Sequence, residues 1–280
     1  MRQHRIAGSA SRLSTLRQTG PVTVATEAEQ RTTPRYGLEL LAVLGVSFGA
    51  DGLNSLLEFV RDQVKINHGF GFHNVATGPI RSSATPTEWL DILFQLVSIV
   101  TGLAAPFLAI VLLMRSPGGR GFGIGLDRLR IRELLQGLGF AALIGIPGLG
   151  LVYGARQLGL NAQIVVTSFP DVWYRVPTLL LEAFQQGIAE EIVVAAYVLT
   201  RLRQLGWSNS RALGAAAVLR GSYHLYQGYG GFFGNAVMGL IFGWWFQRTN
   251  RVLPLVVAHF LLDAFSFIGY VYLHGKVDWI

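Results

Sequence analysis

The sequence predicts an all-α, polytopic helical membrane protein, and three observations carry that reading. Of 280 residues, 51% are hydrophobic and only 14% are charged, whereas a soluble domain carries about 25% charged residues. Mean hydropathy is +0.42. The apolar residues also gather into runs of about 20, the length that spans a bilayer as a helix. The runs fall near 37–60, 89–114, 133–155, 176–200, 212–229, 232–247 and 252–273. That makes about seven transmembrane helices, or eight if the boundaries shift.

The segments divide into three regions. Residues 1–35 hold Arg2, Arg5, Arg12, Arg17, Arg31 and Arg35 among Ser, Thr and Gln, with no apolar stretch. They are expected to form a disordered basic tail on an anionic cytoplasmic leaflet, not a secretory signal peptide. Residues 36–155 form a first set of transmembrane helices, and residues 176–273 form a second, more polar set. No internal repeat and no matched pair of broken helices, as a transporter would show, is visible.

Charge gives the orientation. A net charge of +7 and a pI near 10 could indicate nucleic acid, but the arginines fall between the apolar runs, so nucleic acid is not the expected partner; the lipid bilayer is. With the N-terminus inside, the inner segments hold sixteen Lys and Arg and the outer ones six: Arg61, Lys65, Arg81, Arg156, Arg175 and Lys276. That bias predicts a multi-pass protein of a bacterial plasma membrane with its N-terminus in the cytoplasm. Trp89, Trp173, Tyr174, Trp207 and Trp279 sit where the membrane–water interfaces are expected. The chain has no cysteine, which removes disulfides, iron–sulfur clusters, thiolate zinc sites and a cysteine nucleophile.

Polar residues inside the spans point to function. Asp51, Asn54 and Glu58 share one face of the first span, and that face is expected to pack inward. Four histidines (His4, His68, His73 and His274) lie in tails or loops. The other two, His224 and His259, lie in the last spans with Glu190, Glu191, Arg220 and Asp263. His224 follows Arg220 by four residues and Asp263 follows His259 by four, so each pair stacks on one helix face. At 1.5 Å per residue from the inner ends of their spans, Glu190 lies roughly 16 Å deep, His224 roughly 18 Å and His259 roughly 11 Å. Three polar groups on three helices thus share one layer, expected in a water-accessible pocket open to the cytoplasm.

Such a cluster can act in several ways. A carboxylate beside an imidazole is a base for activating water. Glu190, His224 and His259 could also hold a divalent metal such as zinc. A proton or ion pathway, or a polar network that only holds helices together, uses the same residues.

Three motifs occur in order: "AEEIVVAAYVLTRL", "SYHLYQG" and "NAVMGLIFGWWFQRTNRVLPLVVAHFLLD". Together they resemble the CPBP family of intramembrane proteases, which includes the type II CAAX prenyl proteases and the Abi proteins. The resemblance covers about residues 176–273. It implies an endopeptidase acting on a membrane protein or lipidated peptide. Glu190 would be the general base, His224 would share its proton, and Glu191 would orient the site. His259 and Asp263 would stabilise the oxyanion or complete a metal site. One departure stands out. The family motif reads Glu-Glu-x-x-x-Arg, and the Arg position here is Ala195. Arg220, the only Lys or Arg within the spans, is expected to be the charge partner instead. Without the motif Arg, a non-catalytic immunity, chaperone or partner role is the alternative. Asp263 stands where Asn is commoner.

Overall fold

The computed structural model describes residues 35–67, 76–77, 84–116, 123–126, 130–165 and 169–277. The basic tail before residue 35 lies outside these, as do His4, His68, His73, Arg81, Arg120, Arg128 and Trp279.

Ten α-helices are described: α1 (Tyr36–Gly45), α2 (Phe48–Asn67), α3 (Glu88–Gly102), α4 (Ala104–Met114), α5 (Ile131–Gln157), α6 (Arg175–Glu190), α7 (Leu199–Gln204), α8 (Asn209–Ser222), α9 (Tyr229–Thr249) and α10 (Leu253–Leu273). A π-helical stretch, Glu191–Val198, joins α6 to α7, and a 3-10 turn, Leu225–Gln227, follows α8. Ala76–Thr77 pairs in parallel with Gln163–Ile164, two residues on each side, and Asn161 forms an isolated antiparallel bridge with Gly228.

Local chemistry accounts for several boundaries. Ser208 caps α8 by accepting from the Arg211 backbone N–H. Asn250 takes the left-handed conformation, φ 50°, that ends α9. Pro254 sits in the first turn of α10, where its missing N–H costs nothing. Ser47 donates to the Val43 carbonyl at the break between α1 and α2, which bend by 50°.

The molecule exposes large apolar side chains while burying several charged ones. Leu138, Ile146 and Phe265 are 57%, 72% and 82% exposed, while Glu191, Arg201 and Arg220 are buried. Water would not support that pattern, and a hydrocarbon surround does. By length and composition, Glu88–Met114, Ile131–Gln157 and Leu253–Leu273 can cross a membrane, and the bent α1–α2 pair makes a fourth. Each of the seven expected runs overlaps helix, although 212–229 leaves the α-helix after Ser222. However, α8 has only 14 residues, and the run Arg175–Gln204 carries Glu182, Glu190, Glu191 and Arg201.

The two ends of the bundle differ in charge. At one end Arg201 pairs with Glu39 at 2.8 Å and donates to the Leu112 carbonyl and to Ser116 Oγ. Arg251 pairs with Glu133, Val252 N–H donates to the Ile124 carbonyl, and Gln247 donates to the Asn209 carbonyl. These contacts gather the start of α1, the end of α4, the start of α5, α7, the start of α8 and the end of α9. Arg35, Arg115, Arg130, Arg132, Arg201, Arg203, Arg211, Arg248 and Arg251 therefore share that end. The opposite end is joined by Tyr226 N–H on Ser55 Oγ, Tyr229 N–H on the Leu160 carbonyl and Tyr174 Oη on Asp91. It carries Arg61, Arg156, Arg175 and Lys276 against Glu58, Asp62, Glu88 and Asp171.

Candidate active site

The site forms where α6 passes α10. A Cβ on Gly187 would come within 3.1 Å of the Phe260 nitrogen and 3.2 Å of the Val256 carbonyl oxygen. A Cβ here would crowd both backbones, so glycine favours this close approach. That contact sets the carboxylates of the next turn beside His259. The switch from α to π winding begins at Glu191, and such segments often accompany functional sites because they reset side-chain direction within a helix.

Arg220, in the last turn of α8, is the hub. Its Nη2 donates to Glu190 Oε2 at 3.1 Å and to Glu191 Oε1, and its guanidinium lies 5.5 Å from the Phe242 ring centre. His259 Nδ1 reaches the same Glu191 oxygen at 2.8 Å. Arg220 Nη2 is 3.0 Å from that Nδ1, so two donors converge on one carboxylate oxygen. The other ring nitrogen, Nε2, is 3.4 Å from Asp263 Oδ2 and 4.0 Å from Glu190 Oε1. Each nitrogen of His259 therefore faces a carboxylate. Tyr223 Oη donates to Glu190 Oε2 at 2.7 Å. Glu190 Oε2 is thus held twice. Glu190 Oε1 has no hydrogen-bond partner among the described residues.

The sequence-predicted residues do not all meet. Glu190, Glu191, Arg220, His259 and Asp263 form one contiguous network. His224 stands beside it: its Nδ1 contacts the Arg220 carbonyl at 3.1 Å, and its ring lies between Tyr223 and Tyr226. Both Glu190 and His224 line a cavity of about 420 Å³. Its other walls come from Asp51, Asn54, Ser55 and Glu58 of α2 and from Gln185 and Gln186 of α6. Starting at Glu190, the cavity runs toward the Glu58 and Tyr226 end of the bundle, away from the arginine-rich end. Under the N-inside orientation this is opposite to the cytoplasmic opening expected from the sequence. Counting depth along helices locates residues in a layer but does not say at which end the helices separate.

Among the described residues, no three His, Asp or Glu side chains gather into a set that could hold a metal ion. The position between Glu190, Glu191 and His259 is taken by the guanidinium of Arg220. Ala195, where the family motif has arginine, is buried in the apolar core, and the cation arrives from α8 instead. Tyr223 was not predicted, because a tyrosine in an apolar run reads equally as packing. Its signal was its place next to His224. Asp51, Asn54 and Glu58 form one polar face of α2 in the sequence, which carries no sign of what that face meets.

Residues 172–265 match the family model described as type II CAAX prenyl endopeptidase Rce1-like. This stretch is similar to that family. The match takes in Glu190, Glu191, Arg220, Tyr223, His224, His259 and Asp263, and it bears out the resemblance read from the three motifs. No curated protein and no solved structure matches the chain. The matched stretch holds the whole network, and α2 adds the facing wall of the cavity from outside it.

Proposed function

We propose that the chain is an intramembrane endopeptidase of the glutamate-activated type, with the six-residue apparatus Glu190, Glu191, Arg220, Tyr223, His259 and Asp263 and with His224 at its edge. The observation that carries this reading is the asymmetry of Glu190. One oxygen is fixed by Tyr223 and Arg220, while the other has no hydrogen bond among the described residues and lies 4.0 Å from His259 Nε2, in a residue that lines the cavity. In this reading the runs at α6–α7, α8 and α9 also cross the bilayer, which gives seven crossings with the N-terminus inside. The substrate is the polypeptide of a membrane-associated protein.

A gap of 4.0 Å admits one water in hydrogen-bond range, about 2.8 Å, of both flanking atoms. Glu190 Oε1 takes a proton from that water as its oxygen forms a bond to the scissile carbonyl carbon. The carbonyl π electrons move to oxygen, and the resulting oxyanion is stabilised by the His259 ring, which Glu191 and Asp263 orient. Collapse breaks the C–N bond, and the proton on Glu190 passes to the leaving amine. His224, whose Nδ1 contacts the Arg220 carbonyl at 3.1 Å, lines the cavity at the edge of this network.

Arg220 supplies the positive charge that a metal would otherwise supply. A divalent ion placed among the same carboxylates would be repelled by the guanidinium, so no step is assigned to a metal.

The test uses purified protein in liposomes with a proteome-derived peptide library, cleavage being read by mass spectrometry. Wild type is expected to generate new termini, and Glu190→Gln to lower their rate by roughly 10²–10⁴. Equal cleavage by both proteins would refute the assignment of the base.

A further inference from the structure

The cavity and the charge asymmetry of the bundle together bear on the side from which the site is reached. The floor of the cavity is at Glu190, Tyr223 and Phe48, whose ring centre is 4.8 Å from that of Tyr223. From there the walls rise along α2 through Asn54 to Glu58, and along α6 back from Glu190 to Gln185. On the third side they rise from Tyr223 to Tyr226. All three walls lead to one end of the bundle. Tyr226 N–H on Ser55 Oγ at 2.6 Å and the edge-on contact of Phe59 with Tyr229 tie α2 to the 3-10 turn at that end.

That end is the one poor in cations. Four described Lys or Arg side chains lie there, against nine arginines at the far end. Membrane proteins keep the Lys- and Arg-rich end in the cytoplasm. The cavity lining includes no Lys or Arg and offers Asn54, Gln185 and Gln186 beside Asp51 and Glu58. Carboxamides can both donate to and accept from an extended peptide backbone.

We propose that the site is loaded from the non-cytoplasmic side of the membrane. Its substrate class is then a polypeptide segment presented there, such as an exported peptide or the outer end of another membrane protein. A lipidated tail made and kept in the cytoplasm would face the closed, arginine-rich end. The substrate class rests on the protease reading above, but the direction of access does not.

The natural chain has no cysteine, so one introduced cysteine reports its own surroundings. Glu58→Cys and Asp171→Cys mark the cavity end, and Ser210→Cys marks the arginine-rich end. Intact cells are treated with a membrane-impermeant maleimide, before and after permeabilisation. The expected result is labelling of Glu58→Cys and Asp171→Cys in intact cells, and of Ser210→Cys only after permeabilisation. The reverse pattern would overturn the proposal, as would labelling at both ends in intact cells. Asp171→Cys keeps the test decisive if Glu58→Cys fails to accumulate. Because labelling needs no proteolysis, a loss of the protease reading would leave this readout unchanged.

Discussion

Arg220 Nη2 stands 3.1 Å from Glu190 Oε2, across thirty positions of sequence and between two different helices. The same nitrogen serves Glu191, so one guanidinium compensates a pair of buried carboxylates. An uncompensated buried charge is expensive, and breaking a buried pair by removing one partner costs about 3–5 kcal/mol.

Arg220→Ala should therefore lower stability by about that amount, seen as an earlier thermal unfolding midpoint in detergent and reduced accumulation in membranes. Arg220→Lys should recover part of the stability, since it restores a point charge without the planar fork. An Arg220→Ala protein as stable as wild type would contradict the role of the guanidinium as compensator.

Tyr223→Phe removes only the hydroxyl that donates to Glu190 Oε2 at 2.7 Å. A hydrogen bond to a charged group contributes about 1.5–3 kcal/mol. The expected loss in kcat/KM is about 10- to 100-fold, with the unfolding midpoint close to wild type. Unchanged kinetics would show that Glu190 is positioned without Tyr223.

Gly187 sets the distance between α6 and α10. Gly187→Val should force the Phe260 and Val256 backbones away and displace His259 from Glu191, abolishing cleavage. Gly187→Ala should be milder in both cleavage and stability. The two proteins can be ranked by turnover of one peptide; equal turnover to wild type in Gly187→Val would show that the close approach is dispensable.

Cleavage should survive chelation. Because Arg220 occupies the centre of the carboxylate pair, turnover of a library peptide in EDTA or phenanthroline should match untreated enzyme. Loss on chelation, with recovery on added zinc, would replace this account with a metal-dependent one.

Much of this site was legible in the sequence for identifiable reasons. His259 and Asp263 lie on one helix at four-residue spacing, and helical geometry alone makes them neighbours. Arg220 stood out as the only cation in an apolar run, and such a charge needs an anionic partner. What could not be read depends on which helix faces which. The polar face of α2 gave no sign that it closes a cavity over Glu190, and "EIVVAAYV" has the composition of an ordinary helix, so its π winding is invisible. His224 was expected to touch Glu190. Its ring instead turns to the Arg220 carbonyl, because α8 ends two residues earlier and the chain enters a 3-10 turn. The bend between α1 and α2 likewise has no single residue that announces it.

The measurement that bears most directly on the central claim is made in cells producing either wild type or Glu190→Gln at equal membrane levels. New protein termini in the membrane fraction are read by mass spectrometry. The account predicts termini that appear with wild type and are lost with Glu190→Gln. The same set of termini from both proteins, each folded, would contradict it.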